Sequence, residues 1–62
     1  MPTFIFTSNE FEDGRTITVY EITKGFPDRV GSKRVSIDDP TDDTTICQEI
    51  INLDITMRIF EV

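Results

Sequence analysis

The sequence predicts a small α+β fold: an antiparallel sheet in the order β-β-β-α-β with one helix packed on a face. An all-β small barrel is the alternative. Three observations point there. The 62 residues contain no Ala but many Ile, Thr, Val and Phe, the residues that suit a pleated, half-buried surface. Asp13-Gly14 interrupts two alternating runs, a short-range hairpin signal. Ile46, Ile50 and Leu53 then recur at helical spacing.

The first strand runs over residues 3–12 and the second over 15–23. Two loops can join them. A two-residue loop places Ile5 opposite Ile22. A three-residue loop, with Gly14 in the left-handed region, places Phe4 opposite Ile22 and Phe6 opposite Tyr20. The second gathers more aromatic surface on one face and is preferred, although a one-residue slip would turn every side chain over. Residues 24–28, with Gly25 and Pro27, form a turn, and Gly31-Ser32 is a second break. A third strand follows over 33–38, with Val35 and Ile37 on one side.

Asp39-Pro40 is a helix-start signal, Asp at the cap and Pro in the first turn. Asp42 and Asp43 then sit where the helix dipole favours negative charge. The helix is expected over 40–52, with Cys47 and Ile51 flanking the apolar stripe. Thr44, Thr45 and the paired Ile residues argue against it as weak helix formers. Residues 54–62 alternate: Ile55, Met57 and Ile59 on one side, Thr56, Arg58, Phe60 and Val62 on the other. That pattern predicts a last strand.

Length allows one domain, residues 1–62. A chain this short buries only about 60% of its unfolded surface and is marginally stable. Its single Cys cannot close an internal disulfide, and with no His there is no zinc cluster. No run approaches the roughly 18–20 apolar residues of a membrane span. The start, Met-Pro-Thr-Phe-Ile-Phe, has neither the basic region nor the apolar run of a signal peptide. A lone thiol suits a reducing compartment, so the expected location is the cytoplasm, of the cell or of an infected host.

The composition argues against catalysis. Cys47 has no His to activate it, and its place beside the helical stripe makes it a buried small hydrophobe. Glu10 and Glu12 share a strand face, but a domain of this size cannot build the cleft a carboxylate pair needs. Asp38, Asp39, Asp42 and Asp43 put four carboxylates in six residues, without the Gly and terminal Glu of a calcium loop; helix capping accounts for three of them. Gly31-Ser32-Lys33 lacks the surroundings of a phosphate loop. No enzyme activity and no cofactor are expected.

Charge is unevenly distributed. Residues 1–23 sum to −3, 24–37 to +3 and 38–62 to −6, giving the net −6. An acidic domain is a poor direct binder of nucleic acid but can occupy a basic groove on a protein that binds it. A compact domain of this length is roughly 27 Å across, over which duplex DNA carries roughly 16 charges. With 12 acids against 6 bases, imitation of a duplex is out of reach, whereas a local acidic contact is not. Apolar residues on both faces of several strands add surface that a single helix cannot cover.

The expected function is that of a small protein-interaction domain that binds, and so blocks or adapts, a larger protein with a basic groove. Acidic domains with which phages inhibit host defence or nucleic-acid machinery are of this physical type. The expected partner-binding residues are Asp38, Asp39, Asp42, Asp43, Glu49 and Phe60. The alternative is a self-assembling structural domain, in which the surplus apolar face forms a homo-oligomer.

Overall fold

The computed structural model describes the backbone of residues 2–60 and the side chains of residues 2–57. Three strands, β1 (Thr3–Phe11), β2 (Gly14–Thr23) and β3 (Phe26–Ser36), are followed by one helix, α1 (Asp43–Phe60). The sheet is antiparallel and open, in the order β1-β2-β3, so each strand pairs with its neighbour in sequence. The small α+β class and the early hairpin agree with the sequence; the barrel alternative does not, because the sheet stays open and a helix covers it.

The register departs from both expected hairpins. Phe11 pairs with Gly14, leaving Glu12-Asp13 as a two-residue loop, and Ile5 lies opposite Tyr20, Phe4 opposite Glu21 and Phe6 opposite Val19. Gly14 is therefore a strand residue and not the turn's left-handed residue. It has φ +150°, and a Cβ built on it would come within 2.0 Å of the Val35 carbonyl oxygen. Its lack of a side chain serves the close approach of β3.

The second hairpin turns over Lys24 and Gly25, both at positive φ (53° and 84°), with Thr23 opposite Phe26. Positive φ at both loop residues matches the strand twist, so residues 24–28 hold only a tight turn and β3 starts at Phe26, seven residues before the expected strand. The expected break at Gly31-Ser32 lies inside β3, where the ladder shifts register between Val19 and Tyr20. Gly31 also makes room for the helix: a Cβ there would stand 3.1 Å from Ile50 Cγ2.

Asp39-Pro40 does not start the helix. The Thr41 N–H and hydroxyl both donate to Asp39 Oδ1, at 2.9 and 2.6 Å, forming a local turn. Asp42 is the cap instead: its carbonyl accepts the Ile46 N–H at 3.2 Å, and the Thr45 hydroxyl donates to its carboxylate. The far end also differs. The helix runs on to Phe60, so residues 54–60 are not a strand. No Gly or Pro stands between Asp43 and Phe60, and once nucleated a helix propagates residue by residue until something stops it. Val62 lies outside the described residues.

Ile17, Val19, Val35, Ile46 and Ile50 form the buried core, with Phe4, Val30, Cys47 and Ile51 packed at its margin. Ile37, expected beside Val35, lies past the end of β3 and is exposed. α1 packs on β2 and β3. With side chains alternating across the sheet, Phe4, Phe6, Ile17, Val19, Lys33 and Val35 point toward the helix side. Ile5, Phe11, Tyr20 and Ile22 point to the opposite side, which no described element covers.

Candidate functional site: an acid-rimmed apolar end

The expected partner-binding residues do not form one surface. Asp38, Asp39, Asp42 and Asp43 gather at the end of the sheet where β2 begins and β3 ends. Glu49 is on the β3 flank of α1, where its Oε2 accepts from Lys33 Nζ at 2.9 Å. Phe60 ends the helix, about 26 Å along its axis from Asp43 at 1.5 Å per residue, and its side chain lies outside the described residues.

Each acid in the run has its own circumstances. Arg15 Nε donates to Asp43 Oδ1 at 2.8 Å, and Arg15 Nη2 donates to the Thr41 carbonyl at 2.7 Å; one side chain thus fastens both the helix start and the loop before it to β2. Asp39 is held by Thr41. The hydroxyl and then the backbone N–H of Thr41 pull its carboxyl below the usual aspartate value against an opposing effect of desolvation, with lesser help from the charges of Lys33 and Arg15. Asp42 caps α1. Asp38 is exposed, and its backbone N–H lies 3.4 Å from the Ser36 hydroxyl.

Sequence reasoning missed what these acids surround. The Ile37 N–H donates to the Asp13 carbonyl at 2.9 Å, which draws the Glu12-Asp13 loop against the chain leaving β3. Phe11 and Ile37 flank that junction, 53% and 67% exposed. A shallow cleft of about 210 Å³ lies there, lined by Glu10, Phe11, Gly14, Arg15 and Ile37. Glu10, Glu12, Asp13 and Asp38, in or next to that lining, are exposed, as is Asp42 before α1. Arg34 Nη2 donates to both Asp13 oxygens, at 2.8 and 2.7 Å, and its guanidinium carbon stands 5.7 Å from the Phe11 ring centroid. The signal available in the sequence was Glu10 and Glu12 flanking Phe11 and Asp38 following Ile37, but bringing Phe11 near Ile37 required the hairpin register.

The basic segment is likewise committed. Lys33 pairs with Glu49 and Arg34 with Asp13, while Arg29 donates to the Ser32 hydroxyl at 2.8 Å. Cys47 lies half-buried beside the core. Burial first, and the Asp43 charge second, push its thiol pKa up, which opposes the reactive thiolate. Among the described residues no group of three or more His, Cys, Asp or Glu could hold a metal, and no helix is long and apolar enough to cross a membrane. No family model matches the chain, nor does any curated protein or solved structure.

Proposed function

We propose that this chain is a small acidic interaction domain that acts by occupancy, binding and thereby blocking or adapting a larger protein. The observation that carries this reading is the pair Phe11 and Ile37, exposed together inside a rim of carboxylates. An apolar centre with a charged rim is the anatomy of a protein interface. The complementary surface is an apolar pocket bordered by Arg and Lys, chemistry that the basic groove of a nucleic-acid-binding protein offers. The acids steer encounter and the apolar pair sets the lifetime.

The test is affinity capture from lysate at low and high salt with three baits: the wild type, Phe11→Ser, and the Asp38→Asn/Asp42→Asn pair. A protein held by the wild type should be lost with Phe11→Ser, and bound less at low salt by the Asn pair. Equal retention by all three baits refutes the reading.

A further inference from the structure

We infer that β1 is a docking edge for a second copy of this chain, the two first strands pairing antiparallel about a two-fold axis at Phe6 to make one six-stranded sheet. This goes beyond the heteromeric reading and uses a different surface.

The two edges of the sheet differ in kind. β3 carries Pro27, Asp28, Arg29, Lys33 and Arg34 and an irregular register near Val30, the devices by which edge strands resist pairing. β1 has only one charge, Glu10, near its end. Its nine residues, Thr-Phe-Ile-Phe-Thr-Ser-Asn-Glu-Phe, hold no Pro and no Lys, and pair with β2 without a register shift. Eight of the nine are exposed. A long, regular, nearly uncharged edge is a template for another strand.

Area supports a second copy. A folded monomer of 7.1 kDa exposes about 4,100 Å² by the mass scaling, whereas this chain exposes 4873 Å². The excess, about 800 Å², equals one partner's share of a standard interface. It also fits the shape, 38 × 27 × 16 Å, and a core of five buried side chains among the described residues.

The axis follows from charge and alternation. In a continuous sheet, opposing residues share a face, so the possible axes are whole residues of β1. Centring on Thr7 would set the Glu10 carboxylate against Phe4 of the other copy. Centring on Phe6 pairs the uncharged stretch 3–9: Thr3 with Asn9, Phe4 with Ser8, Ile5 with Thr7, and Phe6 with itself. Phe6 is 46% exposed and borders a groove of about 160 Å³ between β1 and α1, lined also by Phe4, Cys47 and Ile51. Pairing brings the two grooves together under the two helices. It leaves Phe11, Ile37 and their acids free at both far ends.

Light scattering across a concentration series tests this. The wild type should reach twice 7.1 kDa. Because each copy carries −6, salt should strengthen the association by screening repulsion, opposite to its effect on an acid-to-base heterocomplex. Phe6→Lys should return the mass to monomer. Ser32→Lys, the same added charge on the other edge strand, should leave the dimer intact, as should Phe11→Ser. A wild type that stays monomeric in high salt overturns the inference. So does a dimer that survives Phe6→Lys. If Phe6→Lys does not fold, hydrogen exchange of the wild type decides: amides of residues 3–9 should gain protection as concentration rises, and unchanged protection overturns the pairing.

Discussion

The Arg15 guanidinium reaches across from the middle strand to the first helical residue, Asp43, with 2.8 Å between Nε and Oδ1. The same side chain bonds the Thr41 carbonyl, so one residue of β2 sets where α1 begins and how it lies on the sheet. The pair is partly buried, with side-chain exposures of 21% and 39%. Arg15→Met should therefore cost about 1–2 kcal/mol, between an exposed ion pair and a charge-assisted buried bond. Asp43→Asn keeps an acceptor oxygen and should cost less than about 1 kcal/mol. Urea unfolding of both variants checks the order; a larger loss for Asp43→Asn would show that the charge, and not the bond to Thr41, fastens the helix.

Gly14 and Gly25 should respond differently to Ala. At Gly14 the new Cβ meets the Val35 carbonyl at 2.0 Å, backbone against backbone, with no side chain that can yield. In a domain this marginal, Gly14→Ala should abolish cooperative unfolding. At Gly25 nothing lies within 4 Å of the added Cβ, so only the positive φ is strained, at about 1 kcal/mol. Circular dichroism melts separate the two.

Stability should fall in acid through Asp39. Its carboxyl is depressed from the ordinary 3.8, chiefly by the Thr41 hydroxyl. A depressed acid contributes stability fully above its unfolded value, and that contribution fades as pH drops from there through the lower folded value. Thr41→Val removes the hydroxyl but keeps the backbone donor. It should lower stability at neutral pH and flatten the pH dependence of unfolding below the ordinary value, so that variant and wild type converge in acid.

Cys47 should alkylate slowly in the native chain and quickly in denaturant. Its thiol is raised above the ordinary 9.0 by burial and by Asp43. Folding therefore favours the protonated form, and this contribution is lost as pH rises past 9.0 through the higher folded value. Cys47→Ala should cost stability through lost packing, less than the 2–5 kcal/mol or so of a truncated core Leu, and should leave partner capture intact. Fast native labelling would refute this placement.

At the acid-rimmed end, Asp38→Asn with Asp42→Asn should slow association with a captured partner and flatten its salt dependence, leaving dissociation nearly unchanged. Phe11→Ser should chiefly speed dissociation. Surface plasmon resonance separates the two rates. No change in association with the Asn pair would remove the electrostatic part of the proposal.

That the first two strands form a hairpin, and that Ile46 and Ile50 share a buried helix face, was legible because local chemistry and burial agree there. The rest failed where tertiary contact overrode a local sign. Gly31 reads as a break but serves Ile50. Gly14 reads as a turn residue but serves Val35. Asp39-Pro40 has the form of a helix start, yet Asp39 spends its carboxylate on Thr41, and the cap passes to Asp42. Residues 54–60 alternate like a strand, but they continue a helix already nucleated and docked, and no breaker intervenes. The acidic run was visible; the apolar pair near its start was not, because Phe11 and Ile37 are 26 positions apart in the chain and come to one cleft only through the pairing of Gly14 with Ser36.

Pairing only between neighbours in sequence has a consequence for synthesis. Both hairpins close over two residues, so the meander can zip within microseconds of leaving the ribosome, with little loop entropy to overcome. Its cover comes last. Ile17, Val19 and Val35 stay in water until Ile46 and Ile50 have been translated and released from the exit tunnel. The nascent chain thus passes through an interval as a bare three-stranded ribbon, and in that interval it is most open to chaperones and to misassembly with its neighbours on the same message.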